Sequence, residues 1–165
     1  MNKSDRGFTL LELMVVLLIV GIIAAIAVPN FIGLLNRIRV RDSLEKLLGA
    51  IQESQKLSIR HGKTCYLNIN PNTNVISSND SQCLLNERII NEDIVIRTNL
   101  SGSIPNIYFS HKGNTTKMGT IVLSSNFTKS QVCFVISLGL GIKRTGIYTG
   151  DRNGSVSAQK CEKAL

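Results

Sequence analysis

Gly7-Phe8-Thr9-Leu10-Leu11-Glu12-Leu13-Met14-Val15-Val16-Leu17-Leu18-Ile19-Val20 opens an apolar run in which no side chain from Leu13 to Asn36 is charged. About 20 apolar residues are enough to cross a bilayer as a helix, so the run predicts a membrane-inserted helix. Lys3 and Arg6 precede it, and by the positive-inside rule they hold the amino terminus in the cytoplasm and send the remainder across. Glu12 stands out against this background. An acid in the middle of a bilayer helix costs roughly 2.5–3.5 kcal/mol on insertion scales, so its presence calls for a partner or a function.

The 165 residues, 43% hydrophobic and 18% charged, fit one compact domain plus one apolar segment. Lys3 and Arg6 cancel Asp5 and Glu12, so the formal charge of +8 resides entirely in residues 37–165. A basic soluble part favours contact with anionic polymers or surfaces, and also fits an ordinary solvated protein.

Three readings compete for the N-terminal run. A secretory signal would show the same basic start and apolar stretch, with Ala25-Ile26-Ala27 as the cleavage site. A plain membrane anchor is the second. The third is a resemblance. Residues 7–31, from Gly7-Phe8-Thr9-Leu10-Leu11-Glu12 to Ala27-Val28-Pro29-Asn30-Phe31, resemble the class III signal of type IV prepilins and pseudopilins almost residue for residue. That resemblance implies that a prepilin peptidase cuts between Gly7 and Phe8, removes residues 1–7 as a leader and methylates the Phe8 amine. It also implies that Glu12 serves the addition of subunits to a helical filament. The resemblance brings in as partners other pilins or pseudopilins, the peptidase, an inner-membrane assembly platform and membrane lipid. It places the protein in the bacterial inner membrane, single-pass with a periplasmic C-terminus, and later in a pilus or pseudopilus.

Residues 8–30 then form the transmembrane and assembly helix, with a kink expected near Pro29, which has no amide to bond the Ala25 carbonyl. Residues 31–61 continue it as an amphipathic helix. Phe31, Leu34, Leu35 and Ile38, followed by Leu44, Leu47, Leu48 and Ile51, recur at helical spacing and predict a stripe that clasps a globular head. Arg41 with Glu45, Asp42 with Lys46, and Glu53 with Lys56 are expected pairs on the other face. Gly62 is a natural stop.

From 62 to 165 the pattern changes to short strand-like runs: Cys65–Ile69, Val75–Ser77, Ile94–Thr98, Ile107–Ser110, Thr120–Ser124, Val132–Ser137 and Ile142–Tyr148. A long helix followed by a mostly antiparallel sheet predicts an α+β fold, the type IV pilin fold in terms of the resemblance. Cys65, Cys83, Cys133 and Cys161 fall where an oxidising compartment favours disulfides. Three pairings are open, of which Cys65 with Cys83 and Cys133 with Cys161 is preferred because each closes a local loop. A zinc site lacks any Cys-x-x-Cys pair or matching histidine spacing. No metal and no cofactor is expected.

Ile107–Gly113, Gly119–Leu123, Val132–Ser137 and Gly141–Gly146 resemble the closing strands of GspH/FimT-type minor pilins and pseudopilins. In transformation-linked members of that branch a Gly-Arg-x-Arg motif contributes to DNA binding. Gly141-Ile142-Lys143-Arg144 departs from it, with Ile142 in place of the first arginine. Lys143, Arg144, Arg152, Lys160 and Lys163 are the candidate DNA contacts, acting on phosphate by counterion release. A solvated turn and tail explains the same residues. His61 and His111 lack a serine, cysteine or carboxylate arrangement for catalysis, so no enzyme is expected. Asp151-Arg152-Asn153-Gly154 reads as a tight turn rather than a calcium loop. The function implied is a minor pilin or pseudopilin of a type IV pilus or type II secretion pseudopilus, with DNA capture for uptake as the alternative.

Overall fold

The structure is a computed structural model; it describes residues 9–102, 104–138 and 143–163, excepting the side chains of Pro29 and Lys163. It contains two compact units, Met1–Leu35 and Asn36–Leu165. One helix, α1 (Leu10–His61), contributes to both. Among the described residues nine strands follow: β1 (Cys65–Asn70), β2 (Val75–Ser77), β3 (Arg88–Ile89), β4 (Ile94–Thr98), β5 (Asn106–Phe109), β6 (Gly119–Ser125), β7 (Gln131–Ile136), β8 (Lys143–Tyr148) and β9 (Cys161–Lys163). The fold is α+β, and every strand pairing is antiparallel.

The strands divide between two sheets, ordered β3-β2-β1-β5 and β4-β6-β7-β8-β9. β1 and β2 form the expected hairpin, in which the Asn70 side-chain oxygen accepts from Asn72 N at 3.0 Å and Asn74 takes a positive φ of 54°. Asparagine tolerates that left-handed conformation better than most residues. α1 ends in a Schellman motif. Gly62 (φ 63°) donates to the Ile59 carbonyl at 3.3 Å and Lys63 to the Ser58 carbonyl at 3.1 Å, which occupies two of the last free carbonyls.

One hydrophobic core joins both sheets to the second half of α1: Val40, Leu47, Ala50 and Ile51 pack with Leu67, Ile69, Ile76, Ile94, Ile107, Phe109, Ile121, Leu123, Phe134 and Ile136. The predicted stripe is only half right. Leu47 and Ile51 are buried and Leu44 and Leu48 pack partly against the core, but Ile38 of the same unit is exposed. The buried face instead runs through Asn36, Val40, Ser43, Leu47, Ala50, Ser54 and Ser58. Serine and alanine there leave room for the helix to lie close to the strands. Ser43 and Ser58 turn their hydroxyls back to the Arg39 and Gln55 carbonyls, each at 2.7 Å.

A second cluster, Val122, Cys133, Val135, Tyr148 and Cys161, lies on the opposite face of the larger sheet under Val156 and Ala158. β6 and β7 are therefore covered on both faces, which is why they read as continuous apolar runs. The disulfides are Cys65–Cys83 and Cys133–Cys161, with Cα separations of 5.3 and 5.8 Å. The first ties the start of β1 to the loop before β3. The second fastens the last strand, β9, to β7 across β8.

The helix surface holds the expected Arg41–Glu45 and Asp42–Lys46 pairs at 4.0 and 3.0 Å. Glu53 behaves otherwise. It pairs with Arg88 at 2.7 Å and accepts from the Leu85 amide at 3.0 Å rather than meeting Lys56, because tertiary packing brings it a guanidinium and a backbone donor together.

Candidate functional site

The N-terminal part of α1 starts from Thr9. Leu13 N bonds the Thr9 carbonyl at 3.2 Å, the first turn of the helix, and Glu12 N donates to Thr9 Oγ1 at 3.3 Å. Thr9 is thus the N-cap and Glu12 the third helical residue, the Thr-x-x-Glu spacing of a capping box. The carboxylate sits in the turn where the helix dipole favours negative charge. The capping role of Thr9 was legible in the sequence and is an addition to the reading of Glu12 alone. Gly7 and Phe8 lie outside the described residues.

Beyond Glu12 the segment presents apolar side chains on every side. Leu10 is 74% exposed and Ile26 64%, and no residue between them is buried within the unit. α1 is long and apolar enough here to cross a membrane. Its helical assignment runs through Pro29, and the neighbouring Asn30 side chain donates to the Ile26 carbonyl at 3.2 Å, so that polar amide is satisfied locally.

Two of the candidate DNA-contact residues, Lys143 and Arg144, take opposite sides of β8. Lys143 reaches the core side of β8: its Nζ lies 2.5 Å from Gln55 Oε1 and 5.6 Å from the Phe109 ring centroid. Burial, with a smaller contribution from the Lys56 charge, pushes its ammonium below the usual lysine range. Arg144, next in the strand, takes the other side and donates to the Ala158 carbonyl at 2.8 Å. Arg152 donates to the Ser125 carbonyl at 2.9 Å and to that of Thr128. Lys160 is exposed in a short 3₁₀ turn. The Lys163 side chain, and Gly141 and Ile142 of the departed motif, lie outside the described residues.

Arg97 was missed by the sequence reading. Its Nη1 donates to the carbonyls of Asp151 and Gly154 at 3.0 and 3.2 Å, its Nη2 donates to Gln131 Oε1 at 2.7 Å, and its guanidinium lies 5.7 Å from the Tyr148 ring. The Asp151–Gly154 segment is a tight turn closed by Gly154 N to Asp151 O at 3.3 Å, with two of its carbonyls on an arginine. All four cysteines are in disulfides.

The prokaryotic N-terminal methylation motif matches residues 2–28, the stretch that contains Thr9 and Glu12. The type IV major pilin protein PilA of Myxococcus xanthus is 68% identical over 31 residues, 19% of this chain and 14% of that protein. PilE1 of Neisseria gonorrhoeae, also a major pilin, is 38% identical over 63 residues, 38% of each chain. The type II secretion system core protein G of Klebsiella michiganensis is 61% identical over 32 residues, 19% of this chain and 22% of that one. The N-terminal part of the chain thus carries the prokaryotic methylation motif and is similar there to type IV pilins and to a type II secretion core protein. The match spans less than half the length of these relatives. Among solved structures, the minor pseudopilin EpsH of the Vibrio cholerae type 2 secretion system aligns with 68% of this chain and 96% of its own, at 14% identity and a TM-score of 0.47.

Proposed function

We propose that the chain is a non-enzymatic filament subunit, a minor pilin or pseudopilin of the GspH/FimT type, that enters a type IV pilus or type II secretion pseudopilus through its N-terminal helix. The observation that carries this reading is the helix from Leu10 onward, apolar on every side except for Glu12 in its first turn, inside the matched methylation motif. Such a surface needs hydrocarbon or other helices around it. Cleavage after Gly7 would place a new α-amine on Phe8, with a reference pKa of about 7.7–8.0, largely cationic at neutral pH. In a stack of parallel helices that amine can meet a neighbour's Glu12 where water is scarce and the attraction is strong. A subunit out of register would leave buried charges unpaired, at about 3–5 kcal/mol for a broken pair, so Glu12 serves as a register device.

The proposed topology is single-pass in the inner membrane with the head in the periplasm. Arg37, Arg39 and Arg41 follow the apolar segment, but they open a long folded domain, and such domains translocate largely regardless of charge. The peptidase, the assembly platform and the flanking pilins are the partners this reading requires. DNA capture draws on net charge, and Arg144 and Arg152 already serve backbone carbonyls of the head.

Glu12→Ala tests the reading. Membrane insertion and cleavage at Gly7, followed by intact mass, should be unchanged with a methylated Phe8 terminus. Incorporation into sheared filaments should fall by an order of magnitude or more, as expected for loss of a buried pair. Normal incorporation of the variant would remove Glu12 from assembly, and a mature terminus at Val28 would replace the whole reading with an ordinary secreted protein.

A further inference from the structure

A cleft of about 440 Å³ opens between the second half of α1 and the larger sheet, lined by Arg37, Arg41 and Leu44 from the helix and by Val132, Thr145 and Ile147 from β7 and β8. Arg37 and Arg41 are one helical turn apart and share a face. Neither is well neutralised. Arg37 has no acidic partner among the described residues, and Arg41, 82% exposed, has only the Glu45 contact at 4.0 Å. Arg39, between them in sequence, differs, since it makes a 2.6 Å ion pair with Asp93. The cleft therefore combines two available guanidinium groups with a hydroxyl, a chemistry suited to a phosphate.

Position along the chain selects the source of that phosphate. Leu13 to Asn36 carries no charge, and in helical form such a stretch is about 36 Å long at about 1.5 Å per residue, a little more than the roughly 30 Å hydrocarbon core. Arg37 is the first charge after it. In the proposed membrane-inserted subunit, Arg37 reaches the headgroup layer and Arg41 lies about 6 Å further along the helix.

We infer that the Arg37–Arg41 cleft binds the phosphate of an anionic phospholipid and so fixes the depth of the unassembled subunit in the bilayer. The inference rests on the membrane reading above and adds a ligand to it. Bidentate guanidinium–phosphate bonds hold the headgroup, and Thr145 offers a further donor. An acidic segment of a neighbouring pilin is the competing occupant.

The test uses the full chain in proteoliposomes of phosphatidylcholine alone or mixed with phosphatidylglycerol, followed by native mass spectrometry of lipid retained after mild detergent release. Wild type should keep phosphatidylglycerol over phosphatidylcholine, and the double variant Arg37→Gln with Arg41→Gln should keep about tenfold less, the factor expected for about 1.4 kcal/mol of lost charge-assisted bonding. Arg60→Gln, at the far end of the helix, should match wild type. Both sites are exposed, and formation of both disulfides, read in the same spectra, reports on folding. Equal retention by wild type and the double variant overturns the inference, as does displacement of the lipid by millimolar inorganic phosphate, which would mark a general anion site. A double variant that retains lipid normally yet fails to enter filaments assigns the cleft to a neighbouring subunit instead. Failure of wild type to float with the vesicles at alkaline pH would overturn the membrane reading itself, an outcome distinct from the others.

Discussion

Residues 10–35 and residues 36–165 solve the same problem in opposite ways. The head buries its own apolar side chains in a core shared by helix and two sheets, and adds two disulfides. The N-terminal segment is as apolar as any core but buries none of it within its own unit, and it is held by backbone hydrogen bonds and a Thr9 cap. The head is complete as a folded object. The segment is a fold whose other half must come from its surroundings, and helices of that kind draw most of their stability from packing rather than propensity.

That contrast can be broken most sharply by paired truncations. Phe134→Ala removes a fully buried ring from the head core and should lower unfolding free energy by about 3–5 kcal/mol, read from denaturant midpoints. Ile19→Ala, on the exposed segment, should move the same midpoint by less than about 0.5 kcal/mol. A large effect of the second would mean that the segment is part of the head's cooperative unit. The disulfides sharpen the same comparison. Loss of Cys133–Cys161 through paired serine substitutions should cost the head about 3.6 kcal/mol, and loss of Cys65–Cys83 about 0.4 kcal/mol less, since the sequence separations are 28 and 18. Equal insertion of all these variants into membranes would show that the segment is indifferent to the head.

The smallest effect is electrostatic. Lys63 donates to Asp80 and, at 2.7 Å, to Gln82 Oε1, and the Lys63 bond holds the Asp80 carboxyl below its ordinary value of 3.8. A depressed carboxyl contributes stability above the unfolded pKa and loses it as pH falls through the folded value. The gap in melting temperature between wild type and Lys63→Met should therefore be present at pH 6 and close below about pH 4. A gap that persists at pH 2 would assign the contribution of Lys63 to something other than Asp80.

The two regions also differed in how plainly they could be read. The N-terminal helix was legible because one signal, the absence of charge from Leu13 to Asn36, spans its entire membrane-length stretch. In the head, strand existence was legible wherever β-branched residues clustered, as in β4, β6 and β7. The two-residue β3 and three-residue β9 were not, since Arg88-Ile89 and Cys161-Glu162-Lys163 carry no pattern of their own and pair only because the hairpin and the disulfide bring them to an edge. The division into two sheets was invisible for the same reason. The inner face of α1 was misjudged because it is built from Ser43, Ser54 and Ser58, whose small size matters more there than their polarity. The basic residues of the distal half were legible as charge, but not as the separate internal bonds of Lys143, Arg144 and Arg152.

The Thr9 cap has a consequence for the path a subunit takes. It places Glu12 in the first turn of the helix, at the cytoplasmic rim of the bilayer on the proposed topology, where a carboxylate stays hydrated. A subunit drawn outward into a filament would have to carry that acid through the hydrocarbon, at about 2.5–3.5 kcal/mol if it travelled alone. Neutralisation by a neighbour's amine has to come at the near side, before the journey begins. The growing filament would then select its next subunit at the threshold of the membrane, and an unpaired subunit would simply be left behind.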